Sequence, residues 1–378
     1  MNVSRFVCVL FVCACCVAEF SYAQQRQFLS NSRLLLGTQS RLSASVRAGD
    51  VDGDGDVDLV VANGRHWPQQ NILFLNQSRG RFNVARPLGT DLSTSYACEF
   101  ADFDGDGDLD VAVGNDHAPC LVLTNDGKAN FKVRCQVGVP SSVRSLATAD
   151  IDGDGDIDLL ATCRNQPNRI YYNDGDAKFS DSITFGTEND STIDVAVADL
   201  NEDGLMDLIL ANRDAQPNAI LLNAGNRKFT AGDNFGKPSV SSRAVATADF
   251  NGDGHVDWVM ANIGSHNTVY IGDGNGGVIR KLDVGLADGQ SYCVAVADLN
   301  NDDLPDFVVG NQGQINSVFF NHENAARFST QTFGNPNSAT YGLCTGEFNG
   351  DEFTDIAVSN SNQQNSVFLN QPNKRKKQ

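Results

Sequence analysis

Seven nine-residue segments, 50–58, 102–110, 150–158, 199–207, 249–257, 298–306 and 347–355, each crowd oxygen-bearing side chains into one short loop. Positions 1, 3, 5 and 9 carry Asp50, Asp52, Asp54 and Asp58 in the first, Asp102, Asp104, Asp106 and Asp110 in the second, and Asp150, Asp152, Asp154 and Asp158 in the third. The fourth and fifth carry Asp199, Asn201, Asp203 and Asp207, then Asp249, Asn251, Asp253 and Asp257. The last two carry Asp298, Asn300, Asp302 and Asp306, then Glu347, Asn349, Asp351 and Asp355. Four such oxygens in one tight loop suit a hard cation. A backbone carbonyl at position 7 and water would complete the roughly six to eight oxygens that calcium takes. Without a cation, so many carboxylates in so few residues repel one another.

The predicted cofactor is therefore Ca2+, at five to seven sites. Glycine at position 6 supplies the positive φ that wraps the chain around an ion. Asp303 and Glu352 stand there in loops six and seven, so those two loops depart furthest from the pattern. Position 12 of the first three loops is Val61, Val113 and Ala161, where an EF-hand places a bidentate glutamate, so these are not EF-hands. The loops hold 30 of the 47 acidic residues, and the formal charge is −19. That acidity excludes a nucleic-acid partner, whose phosphates it would repel.

The loops recur every 48–52 residues, the scale of a propeller blade. Each unit carries four short apolar runs bounded by Gly, Asn and Asp, which predict antiparallel strands. The fold class expected is all-β, a seven-bladed β-propeller with four-stranded antiparallel blades. The last unit stops at Asn370, after its third strand, while an orphan strand-like segment, 26–37, precedes the first. The N-terminal strand is expected to complete the last blade and close the ring, which removes an exposed sheet edge.

The motif Asp-φ-[Asp/Asn]-x-Asp-Gly-x-x-Asp, in seven copies of graded fidelity, resembles that of FG-GAP/VCBS repeat proteins. Their blades are similar to those of the integrin α-subunit propeller. The resemblance covers residues 26–370 and implies the fold and calcium binding. It implies no single activity, because such proteins include adhesion receptors, lectins and lyase-like enzymes.

Residues 1–23 read as a signal peptide: Arg5, an apolar run from Phe6 to Val17, and Ser21-Tyr22-Ala23 as the cleavage site. The propeller then occupies 24–370 and a basic tail 371–378. The predicted location is secreted, extracellular or periplasmic, without a transmembrane span. Export permits disulfides. The turn 125–130 sets Cys120 opposite Cys135 in a regular hairpin, which predicts a disulfide between them.

The aspartate loops join first to second strands. The opposite face, formed by the loops between second and third strands, is free for recognition. Its candidates are Arg65, His66, Trp67, His117, Arg164, Arg213 and His266. Trp67 can stack on a sugar face, or pack under its own loop beside Pro68. The recurring Asn that opens each third strand reads as a turn former. The expected function is a secreted calcium-binding module that recognises an extracellular glycan or protein, as in adhesion. The alternative is a polysaccharide lyase or dehydratase whose base is His66, His117 or His266. No metalloprotease, nucleophile-elbow or P-loop motif is present.

Overall fold

The computed structural model describes residues 26–232 and 234–373. The expected signal peptide and residues 374–378 of the basic tail lie outside the described residues. The described residues contain strands and turns but no helix, so none is long and apolar enough to cross a membrane.

Seven four-stranded antiparallel units follow one another. The fourth is the simplest: Thr192–Ala198, Asp207–Asn212, Ala219–Asn223 and Phe229–Ala231, paired in that order. In the second unit the strand Asp110–Thr124 bends to serve as both second and third strand. The first strands are neighbours all round the ring, and the first strand of unit one sits beside that of unit seven. Every residue of second strands such as Asp58–Asn63 and Asp158–Cys163 is buried. Each lies between two neighbouring blades, which is why these runs are continuously apolar instead of alternating. The core consists of layers between blades. Leu160, Ile170 and Tyr172 of the third unit, for example, pack on Val195, Leu208 and Leu210 of the fourth.

The ring closes as the chain ends predict. Arg26–Leu29 pairs with residues 369–372, and Leu35 and Leu36 pair with Ser366 and Asn365. Two families of asparagine hold neighbouring blades together. The Asn that opens the third strand accepts the N–H at the end of its own second strand. Its Nδ2 then donates to the Ser or Thr hydroxyl of the next blade, as in Asn71–Ser95 (2.9 Å) and Asn168–Thr192 (2.9 Å). The Asn that ends the third strand donates to the position-2 carbonyl of the preceding loop, as in Asn125–Val51 and Asn173–Phe103, both 2.8 Å. Both latches span the seam between unit seven and unit one: Asn365 to Ser43 at 3.0 Å and Asn76 to Phe348 at 2.9 Å. The first family is thus more than the turn former expected from sequence.

The disulfide expectation is corrected. Cys120 faces Val137 and Cys135 faces Val122, because the turn is one residue longer than expected, with Thr124 opposite Lys132, and the hairpin shifts register once more between Val122 and Leu123. Both thiols are free. Cys120 is buried in an apolar cluster with Cys163, and that burial raises its pKa.

Candidate metal loops and channel mouth

The position-9 aspartates are fully buried in all seven loops. Each is fixed by two backbone donors. Asp58 Oδ2 accepts from Val51 N (3.2 Å) and Oδ1 from Asn76 N (2.7 Å), and Asp158 does the same with Ile151 and Asn173. Position 1 caps the turn: Asp50 accepts from Gly53 N and Gly55 N. In loops one to three the carboxylates of positions 1, 3 and 9 converge. Asp50, Asp52 and Asp58, and their counterparts Asp102, Asp104, Asp110 and Asp150, Asp152, Asp158, bring ligand oxygens within 4.8 Å of one another. Position 5 stays outside this group, its carboxylate accepting the position-7 N–H, as Asp54 does from Asp56.

These residues fit a metal ion on one further observation. Oδ1 of Asp52, Asp104 and Asp152 is buried and has no hydrogen-bond partner. An anionic oxygen in that situation is costly unless a cation meets it. Burial, with the neighbouring carboxylates, raises the pKa of Asp52 and Asp104. Burial pushes Asp58 up to about 7 against the pull of its backbone donors. Loop three differs, because Arg227 Nε reaches the other oxygen of Asp152 at 2.8 Å. In loops four and five the position-3 asparagines turn Nδ2 to the position-5 carboxylates, Asn201 to Asp203 at 3.1 Å and Asn251 to Asp253 at 2.7 Å.

At the far ends of the second strands a second cluster forms. Every first strand shifts register once against its second strand. The seven bulged residues, Ala44, Tyr96, Arg144, Ile193, Arg243, Tyr292 and Tyr341, all line the central channel. A bulge re-aims a side chain. At the channel mouth, six of the seven meet Arg65, His66, Arg164 and Arg213 from the loops between second and third strands, around a cavity of about 130 Å³. Guanidinium groups lie over tyrosine rings: Arg65 on Tyr341 at 3.8 Å and Arg144 on Tyr96 at 4.3 Å. His66 is wedged between Arg65 Nη1 and the Tyr96 hydroxyl, at 3.0 Å from each. Burial and the nearby arginines lower its pKa, so Nε2 accepts from Arg65 and Nδ1–H donates to Tyr96. Deeper in the channel, Arg47 Nε donates to both oxygens of Glu99, at 2.7 and 2.8 Å.

Six overlapping matches to the FG-GAP-like repeat run from residue 50 to residue 358: 50–113, 102–161, 150–210, 199–260, 249–309 and 298–358. The chain belongs to the FG-GAP-like repeat family. No curated protein sequence matches it. Among solved structures, the FG-GAP-like chain is similar to BBS1N in a crystal structure with ARL6DN soaked with lead. That pair shares a TM-score of 0.60 at 14% identity, over 92% of this chain and 99% of the other. It is also similar to the WD40 domain of Toxoplasma gondii coronin (TM-score 0.59, 13% identity, 93% and 87% coverage). The WD40 propeller domain of Doa1 gives a TM-score of 0.59 at 14% identity, covering 91% and 97%. At these identities the likeness concerns the fold.

The FG-GAP-like chain gathers only part of the recognition set expected from sequence. Arg65, His66, Arg164 and Arg213 meet at the channel mouth. Trp67 projects from the same loop and is 71% exposed, so it does not pack beneath that loop. His117 is exposed beside Asp116, and His266 Nδ1 lies 3.1 Å from the Gly285 carbonyl. Of the three histidines only His66 lines the channel-mouth cavity. Sequence reasoning missed Tyr96, Arg144, Arg243, Tyr292 and Tyr341. Their signal is positional, since each stands six residues before the first residue of a loop, as a large polar side chain within an apolar strand.

Loops six and seven close despite lacking glycine at position 6. Asp303 and Glu352 adopt φ of 65° and 68°. Asp303 N still donates to Asp298 Oδ2 at 2.9 Å. Asp303→Gly is expected to stabilise the protein by about 0.5–1 kcal/mol through relief of the left-handed strain, read as a higher urea midpoint at unchanged slope.

Proposed function

We propose that this chain is a secreted recognition module whose aspartate loops bind calcium and stiffen one face of a propeller, while the opposite face meets an extracellular glycan or protein. The observation that carries the calcium reading is the buried, partnerless Oδ1 of Asp52, Asp104 and Asp152 beside two further carboxylates. Calcium suits oxygen-only donors at flexible geometry. FG-GAP-like membership supports the same reading. Loops one and two are its best sites. Arg227 weakens loop three by holding a carboxylate that the ion needs.

Recognition is supported by the fold, which leaves the loops between second and third strands on a rigid frame, the usual place for binding residues. One similar propeller was crystallised in complex with a protein, ARL6DN. Export rests on residues 1–23. Mass spectrometry of secreted protein is expected to find a chain beginning at Gln24.

The test of the calcium reading is a thermal melt in chelator and then in graded calcium, with bound ions counted by elemental analysis. A ligand at a hundred times its Kd adds about 2.7 kcal/mol per site to a chain that binds it only when folded. A rise of several degrees with two or more ions per chain is expected. An unchanged melting point with no bound ion would sink the reading.

A further inference from the structure

We propose that the mouth of the central channel is an oxyanion site, built to hold one carboxylate or sulfate group between converging guanidiniums. The proposal gives the recognition face its ligand chemistry and rests, for its biological use, on the recognition-module reading. Its physical case is separate. In a chain of net charge −19, five arginines, two from first-strand bulges and three from the loops between second and third strands, converge on one small cavity.

Only part of that charge is balanced within the protein. Asp116 pairs with Arg144 at 3.0 Å, and Asp214 serves both Arg164 at 2.8 Å and Arg213 at 3.4 Å. Arg65 donates to the neutral hydroxyl of Ser361 at 3.0 Å. Among the described residues Arg243 makes no ion pair or side-chain hydrogen bond, with the Tyr292 ring at 5.2 Å and the Asp194 carboxylate lining the same channel. The Nε of Arg243 is buried without a hydrogen-bond partner, and the Nε of Arg213 has only the Asp214 carboxylate at 3.4 Å, outside hydrogen-bond geometry. Like charges gathered away from water repel strongly, and burial together with Arg213 lowers the pKa of Arg243. An anion at the centre would satisfy both the donors and the charge.

The geometry also limits the ligand. Each of the three tyrosines has an arginine over its ring, so the rings orient guanidinium forks and do not offer a free platform for a sugar face. Planar forks match carboxylate and sulfate oxygens in pairs. A cavity of about 130 Å³ admits such a group, while the body carrying it would remain at the rim, near Trp67.

The test is isothermal titration of the mature chain, at fixed free calcium, with sodium sulfate, sodium glucuronate and glucose. One saturable site for sulfate or glucuronate, and none for glucose, is expected. A preference for sulfate points to a sulfate ester and a preference for glucuronate to a uronate, and either supports the proposal. Arg243→Met and Arg65→Gln are each expected to weaken the anion at least tenfold, leaving the calcium count unchanged. Arg65→Gln lies in a surface loop and keeps the test valid if the buried variant folds poorly. Trp67→Ala is expected to leave inorganic sulfate binding intact. A chain that folds and binds calcium but takes up neither anion overturns the proposal, as does anion binding that survives both arginine variants. Anion binding by a chain that binds no calcium would leave it standing while removing the metal reading.

Discussion

A chain shortened to begin at Gly37 is expected to lose its cooperative unfolding transition and to elute as oligomers or aggregate. The missing segment is the fourth strand of the last blade, paired through Arg26–Leu29 and through Leu35 and Leu36. Its loss removes buried Phe28, Leu34 and Leu36 from two core clusters. Each such side chain contributes about 1.5–3 kcal/mol when buried. Also lost is the 2.8 Å bond from Arg26 Nε to Asn370 Oδ1, which ties the strand to a residue that latches the sixth loop. The third strand of that blade would then be an unpaired edge, a template for pairing with another chain. Size-exclusion chromatography with a urea titration checks this. A monomer with an unchanged midpoint would show that the first-strand contacts and the Asn365–Ser43 and Asn76–Phe348 latches close the seam without the N-terminal strand.

Asp158→Ala is expected to destabilise the metal-free protein by roughly 4 kcal/mol, since each orphaned buried N–H costs about 1–3 kcal/mol and a carboxylate cavity is added. The side chain is fully buried and accepts from Ile151 N at 3.0 Å and Asn173 N at 2.9 Å, so it fastens the loop to the third strand. Asp158→Asn keeps the shape and one acceptor, and is expected to cost about half as much. Urea unfolding in chelator separates this clamp from any lost ion. The same aspartates set a pH dependence. Burial raises Asp158 to about 6, Asp58 and Asp355 to about 7 and Asp306 to about 8. The folded chain therefore keeps protons that the unfolded chain releases. In chelator, stability is greatest at about pH 4, falls as pH rises through that window and levels off above about 8. Saturating calcium, which binds the deprotonated loops, is expected to flatten that decline. A melting point in chelator that rises between pH 5 and pH 8 would contradict the assignment.

Much of this was legible in the residues alone. The nine-residue loops at 48–52-residue spacing fix the blade length, and the four short apolar runs in each fix the strand number. The orphan strand ahead of loop one and the missing strand after Asn370 together announce the closure. These features are local, or repeat with one period, so each copy reinforces the others. The ligand atoms of a loop also lie within nine residues, and the tight turn leaves them little choice of geometry.

What the tertiary structure alone decided concerns phase and angle around the ring. The Cys120–Cys135 pairing failed because the turn holds one residue more than expected and a register shift at Val122/Leu123 adds another, and an apolar pattern does not reveal an extra residue. The same kind of shift, repeated in all seven first strands, turns the residue six positions before each loop into the channel. Arg65 and Tyr341, or Arg213 and Arg243, meet because the ring brings separate blades to one axis. The sequence determined the blades, the aspartate loops and the closure, because those depend on short-range chemistry repeated seven times. Only the closed ring decided that arginines and tyrosines from different blades share one cavity, because convergence on an axis belongs to the assembled blades and to no single repeat.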